Sequence, residues 1–216
     1  TALAGTIAAT SISANTDAGF SIVEWSSSGG VGTVGHGLDE VPQLIIIKKT
    51  ASSSPWSVYA APVGNGKRLQ LNESAAAATD AIWNNTTPTN QVFTQQISGG
   101  ATTDNIAYCF HSVAGYSRVG SYIGNGSTTG PIIYTGFRPR FIMTRPYSIG
   151  DNWSIWGVNQ PGDDIDQILV PNNDGAQSAI GFGRYDITLS STGFQLKRTD
   201  SQINQNGAAY IFMAIA

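Results

Sequence analysis

The chain is short of charge, has one cysteine and contains no long apolar run, and each shortage narrows what it can be. Lys, Arg, Asp and Glu make up 12% of its 216 residues, about half of the ~25% usual for globular domains. The eleven Lys and Arg are scattered, never more than two together (Lys48–Lys49, Lys67–Arg68, Lys197–Arg198). Nucleic-acid recognition needs a clustered basic face, so this composition and the net charge of −3 argue against it. One cysteine, Cys109, forbids an intrachain disulfide and a cysteine-built zinc cage. Within Ala107-Tyr108-Cys109-Phe110 it reads as a small core residue. The apolar runs are strand-sized, such as Leu44-Ile45-Ile46-Ile47, far short of the ~18 residues of a membrane helix. No charged, apolar, small-residue pattern opens the chain as in a signal peptide. The expectation is a protein that does not insert into a membrane.

Polarity comes instead from hydroxyls and amides. Glycine is abundant (25 residues), yet hydrophobic residues are 41% of the chain, too many for a disordered segment. Thr suits exposed strand surfaces, and Asn and Gly suit turns.

Residues 1–18 are small and polar and read as a linker or arm. The body then repeats. Phe20-Ser21-Ile22-Val23-Glu24-Trp25 corresponds to Tyr116-Ser117-Arg118-Val119-Gly120-Ser121-Tyr122. Pro42-Gln43-Leu44-Ile45-Ile46-Ile47 corresponds to Pro139-Arg140-Phe141-Ile142-Met143-Thr144, and Trp56-Ser57-Val58-Tyr59 to Trp153-Ser154-Ile155-Trp156. Leu69-Gln70-Leu71 lies where Ile168-Leu169-Val170 lies, Phe93 where Phe194 lies, and Ala107-Tyr108-Cys109-Phe110 where Ala209-Tyr210-Ile211-Phe212 lies. So many collinear matches mark a duplicated unit, too long for a solenoid or propeller repeat. Each copy shows short β-branched and aromatic runs between Gly, Asn, Ser and Pro turns. The expected fold is all-β: two tandem, diverged sandwich or jelly-roll-like units over residues 19–114 and 115–216. Glu73-Ser74-Ala75-Ala76-Ala77-Ala78 is the one stretch that reads as a helical turn.

Little in the chain suggests catalysis, which gathers titratable groups in one place. His36, in Gly35-His36-Gly37, reads first as a turn residue; its functional reading is a contact at a loop tip. The other copy has Thr135 there. His111 follows a core strand. No Gly-x-Ser-x-Gly nucleophile string occurs, and no phosphate-binding glycine loop. The acidic cluster Asp163-Asp164-Ile165-Asp166 is the best candidate for Ca²⁺, through Asp163, Asp164 and Asp166, but lacks the spacing of a calcium loop. As glycosidase carboxylates these would need a partner across a cleft. No cofactor is expected. Trp56 and Trp153 occupy matched places and read as core. Trp83, in a polar loop with Asn84 and Asn85, is the better candidate for an exposed platform, joined by Asn125 in the Gly124-Asn125-Gly126-Ser127 turn. Loops 26–36, 80–90, 124–130 and 160–166 are the candidate contact surface.

Several strings taken together carry a resemblance: Asn15-Thr16-Asp17-Ala18-Gly19-Phe20, Val34-Gly35-His36-Gly37-Leu38, Trp83-Asn84-Asn85-Thr86, Gly120-Ser121-Tyr122-Ile123-Gly124-Asn125-Gly126-Ser127 and Tyr134-Thr135-Gly136-Phe137-Arg138-Pro139. From about residue 15 onward the chain resembles an uncharacterised duplicated β domain of tailed-bacteriophage virion proteins, often labelled tail fibre. The resemblance implies a structural or adsorption role and brings no catalytic residues. The leading expectation is a virion component without enzymatic activity, a tail-fibre or receptor-binding module assembled in the bacterial cytoplasm. Its implied partners are other virion proteins, identical copies (a trimer is favoured) and host surface glycan. A capsid decoration protein, with residues 1–18 lying on the shell, is the alternative. A glycan depolymerase using the aspartates near 163–166 is a third.

Overall fold

A computed structural model describes residues 4–97, 102–157, 164–165, 168–173 and 187–216. Every regular element among them is a β-strand, seventeen in all, as the short apolar runs and turn residues imply. No helix among the described residues is long and apolar enough to cross a membrane. The chain forms two compact units: Thr1–Leu71 with Ala78–Ser112, and Asn72–Ala77 with Val113–Ala216.

Unit 1 contains β1 (Ala9–Asn15), β2 (Phe20–Ser27), β3 (Gly30–Gly35), β4 (Leu44–Lys49), β5 (Ser57–Ala60), β6 (Lys67–Gln70), β7 (Ala78–Thr79), β8 (Val92–Ile97) and β9 (Thr103–Phe110). One sheet runs β1-β2-β9-β4-β5-β6-β7 and the other is the β3-β8 pair. Alternation along the strands turns Val23, Trp25, Ile45, Ile47, Tyr59, Ala107 and Cys109 inward to meet Val34 and Phe93. Trp25 meets Phe93 edge-on at 5.7 Å, a favoured aromatic geometry. Cys109 is fully buried, which pushes its thiol up to about 12. β4 breaks the alternation: Leu44 to Ile47 are all buried, as an unbroken apolar run requires.

The expected free arm is in part a strand. β1 pairs antiparallel with β2, and the Ile7 N–H donates to the Thr33 carbonyl at 3.0 Å. Half-buried Ile7 and Ala9 pack on the unit 1 core. Small polar side chains offer little to bury, but an extended backbone still satisfies the open edge of β2.

Unit 2 contains β10 (Ser117–Ile123), β11 (Ile132–Tyr134), β12 (Phe141–Pro146), β13 (Ser154–Gly157), β14 (Asp164–Ile165), β15 (Ile187–Ser190), β16 (Gly193–Leu196) and β17 (Ala209–Ile215). Its sheets run β10-β17-β12-β13 and β11-β16-β15-β14. The core holds Tyr122 stacked on Tyr210 at 4.8 Å and Phe194 edge-on to Phe212 at 5.9 Å. The stretch expected to turn helical, residues 73–78, is not helical. Within unit 2 the Ala77 N–H donates to the Tyr147 carbonyl at 3.0 Å, and the Ala75 carbonyl accepts from Arg145 Nη2 at 2.5 Å. Six residues are too few for an isolated helix, and these distant partners take the backbone groups instead.

Hydrogen-bond register defines which residues of the two units correspond. The Gln43 N–H donates to the Phe110 carbonyl and the Arg140 N–H to the Ile215 carbonyl. The His111 N–H donates to the Gly19 carbonyl, and the Ala216 N–H to that of Tyr116. Phe110 therefore matches Ile215 and Ala107 matches Phe212, three positions away from the match suggested by the similar Ala-Tyr strings. Opposite Ala107 stands Val23; opposite Phe212 stands Gly120. A Cβ on Gly120 would lie 2.7 Å from the Phe212 ring. The large residue has changed strands.

Candidate functional site: a polar cleft in unit 1

A cleft of about 280 Å³ opens in unit 1 where β4, β5 and β6 of one sheet approach β8 of the other. Ile47, Pro55, Ile82 and Ile97 give it apolar walls, and Lys49, Ser57, Arg68, Asp80, Gln95 and Gln96 give it polar ones. Strand alternation explains how Gln95 arrives there. Phe93, Gln95 and Ile97 share the inward face of β8, so the strand inserts an amide between two core residues. Gln95 is 2% exposed, and its Oε1 has no hydrogen-bond partner.

The ionic part is tightly held. Arg68 Nη2 lies 3.0 Å from Asp80 Oδ2. The other carboxylate oxygen accepts the Ile82 N–H at 2.8 Å, and the Asp80 N–H donates to the Gly66 carbonyl at 3.1 Å. Arg68 Nη1 reaches the Ser57 hydroxyl at 3.5 Å. The cleft thus offers fixed donors, a buried acceptor and apolar walls. Among the described residues its lining holds one carboxylate, Asp80, bonded through both oxygens.

Comparison with unit 2 gives the cleft its meaning. Phe93 pairs with Val34 and Phe194 with Ile133, so Gln95 corresponds to Leu196. Leu69 pairs with Val58, and Leu169 with Ile155, so Arg68 corresponds to Ile168. Leu196 and Ile168 are 0% and 1% exposed core residues. The same scaffold positions are filled with hydrocarbon in one unit and with an amide and a guanidinium in the other.

A family model described as Domain of unknown function (DUF7483) matches residues 1–216. The chain belongs to that family. No curated protein and no solved structure matches it.

In this DUF7483 chain the residues singled out from sequence are dispersed. Trp83 is not a platform: it is 1% exposed and meets Tyr59 edge-on at 5.5 Å inside unit 1. Its polar neighbours misled because the chain dips inward for one residue and turns straight out. Asn84 and Asn85 both have φ of +49°, and the Thr86 N–H closes the turn on the Trp83 carbonyl at 2.9 Å. Asn tolerates that conformation well. Both asparagines are exposed.

His36 is not at a loop tip. It is fully buried, with Nε2 donating to the Thr89 carbonyl at 3.1 Å and Nδ1 accepting the Leu38 N–H at 3.2 Å. These partners require the neutral Nε2–H tautomer. Burial lowers its pKa, against the opposing pull of the Thr89 carbonyl and Asp39. Thr135 does the same work in unit 2: its Oγ1 accepts the Phe137 N–H at 3.4 Å across Gly136. Gly37 and Gly136 both have positive φ. His36 is a turn-forming residue with an equivalent in the other copy.

Asn125 is committed to its own loop. Its Oδ1 accepts from the Ser127 N–H at 3.0 Å and from Nδ2 of buried Asn204 at 3.2 Å. Asp164 is exposed on β14, where its carboxylate accepts from the Thr188 hydroxyl. Asp163 and Asp166 lie outside the described residues. Among the described residues no three His, Cys, Asp or Glu are grouped to hold a metal. Trp153 is fully buried as expected, while Trp56 is half-buried against Tyr108 at 6.4 Å. Gln95, Arg68 and Asp80 carry no local motif. The available signal was a mismatch: aligning Phe93 with Phe194 sets Gln95 against Leu196.

Proposed function

We propose that this chain is an attachment module of a tailed-bacteriophage virion that binds one sugar unit of a host surface glycan in the unit 1 cleft. The motif resemblance supports the virion setting. The observation that carries the binding reading is the substitution of Gln95 and Arg68 for the core residues Leu196 and Ile168 of the matched unit. A buried amide oxygen without a partner costs about 1–3 kcal/mol, and an apolar alternative demonstrably fits the fold. A ligand donor that completes Gln95 Oε1 offsets that cost. The mixture of amide, hydroxyl and guanidinium groups with aliphatic walls suits a pyranose, which presents hydroxyls around an apolar body. Several copies on one particle convert a weak contact into avidity.

The test uses an array of bacterial surface polysaccharide fragments, followed by calorimetry on any that bind. Gln95→Leu and Arg68→Ile, each importing the unit 2 residue, are expected to abolish binding while the protein stays folded. Unchanged affinity in both variants sinks the cleft as the site. Antibody labelling of particles tests the setting. Label at the tail tip supports attachment, and label spread over the shell transfers the protein to capsid decoration.

A further inference from the structure

The charges that line the unit 1 cleft do not balance. Among the described residues they are two cations, Lys49 and Arg68, and one anion, Asp80. Asp80 is committed: one oxygen faces Arg68 and the other accepts the Ile82 N–H. Lys49 forms no ion pair and no hydrogen bond among the described residues. It follows Ile47 by two residues and so shares that residue's inward face of β4. Lys49 stands opposite Asn105, which stands opposite Trp25. Glu24 and Asp104, the acidic residues next to these two, therefore point to the other face of the sheet. Lys49 is half-buried, and taking an ammonium partly out of water without a partner is unfavourable.

Unit 2 shows that the scaffold does not require this cation. Lys49 pairs with Asn105 and Pro146 with Tyr210. Since Phe110 matches Ile215, Asn105 matches Tyr210 and Lys49 matches Pro146, which is buried. Unit 1 thus carries two cations, Arg68 and Lys49, where unit 2 has Ile168 and Pro146, and the single carboxylate of the cleft serves the first of them. We propose that the sugar unit held in the cleft is a sugar acid, whose carboxylate forms an ion pair with Lys49. This rests on the cleft being the glycan site. The same unit supplies a hydroxyl as the donor that Gln95 Oε1 lacks. An ionised carboxylate by itself cannot, because it only accepts. A carboxylate and hydroxyls on one pyranose therefore answer both unmet groups of the cleft, the free ammonium and the free amide oxygen.

The test takes the bacterial polysaccharide fragments that bind the full chain and measures each beside its carboxyl-reduced form, in which the acid has become a primary alcohol. The bound fragments are expected to contain a sugar acid. Reduction is expected to weaken them by about tenfold or more, the worth of a hydrogen bond to a charged group. Lys49→Gln should bring the acidic fragment down to the affinity of its reduced form and leave the reduced form unchanged, while Lys49→Arg keeps the preference. The melting temperature of both variants should match the wild type, because Lys49 holds nothing in the fold. Fragments that are neutral, or that bind equally after reduction, overturn the sugar acid; if Gln95→Leu still abolishes their binding, the cleft stands as the glycan site without it. Equal losses for the acidic and reduced forms in Lys49→Gln overturn the ion pair. Binding of no fragment at all overturns this proposal and the cleft together.

Discussion

Two residues beyond its matched phenylalanine, on the inward face of the same strand, unit 1 carries Gln95 and unit 2 carries Leu196. In the other sheet of unit 1, Arg68 stands where Ile168 does in unit 2. Unit 2 shows what the scaffold needs at these places: apolar volume that fills the sandwich. Unit 1 shows that the scaffold survives without it. Where two copies of one fold differ by a buried polar group, the copy that keeps it bears a cost that packing does not explain, and binding is the natural place to look for the return.

Not every difference between the units is of that kind. Val23 with Ala107, against Gly120 with Phe212, redistributes bulk across a strand pair. His36 against Thr135 swaps one turn-closing acceptor for another. Lys48 corresponds to Arg145, and both hold backbone carbonyls: Lys48 those of Ser52 and Ser54 at 2.5 and 2.7 Å, Arg145 that of Ala75. Arg145 is fully buried, with Nε and Nη1 unpartnered, and burial brings its guanidinium down to about 10. These are alternative solutions to one structural demand.

Substitutions can sort the two kinds. Trp83→Ala should cost most, about 3–5 kcal/mol in urea unfolding, as for other buried tryptophans; a loss under about 1 kcal/mol would return the ring to solvent. Phe212→Ala should cost a similar amount, about 3–5 kcal/mol, and Gly120→Val about 1–3 kcal/mol through the clash with the ring. The double variant, which imports the unit 1 pair, should recover about 0.5–3 kcal/mol of their sum. Strict additivity would break the claim that the two positions trade volume. Gln95→Leu should go the other way and stabilise the ligand-free protein by about 1–3 kcal/mol. If it destabilises, Gln95 is a structural residue and the contrast with Leu196 has no functional content.

The smallest effect belongs to His36. Its folded-state pKa lies below the ordinary 6.5, so the unfolded chain takes up the proton first. Its contribution is complete above 6.5 and is lost as pH falls from there through the lowered value. His36→Thr should cost under about 1 kcal/mol near neutrality. The gap between variant and wild type should then narrow in urea titrations as pH falls below 6.5. A constant gap would mean that the imidazole is not held neutral by its burial.

Much of the fold was legible in the sequence because a sandwich is written in local signals. Short β-branched runs, turn glycines and the collinear Trp-Ser and Phe landmarks identified two all-β units. Apolar neighbours placed Cys109 inside, and the match with Trp56 placed Trp153 there. The candidate site was not legible. Trp83 looked exposed because its neighbours are polar, yet a single residue can point inward between two turns. His36 reads first as a turn residue, and it does close a turn, as Thr135 does in the other copy, but a buried one and not a loop tip. The closing strands were matched by their Ala-Tyr strings, whereas the ladder register shifts that match by three positions.

By itself the amino-acid sequence determined the fold class, the duplication and the lack of any local catalytic motif, since these follow from periodicity and residue chemistry at short range. Tertiary structure alone decided that part of the arm becomes β1, that residues 72–77 join unit 2, and that Arg68, Asp80 and Gln95 meet in one cleft. Each of these depends on hydrogen bonds or packing between residues distant in the chain. Such contacts are set by strand order and register, and neither is encoded in any short segment.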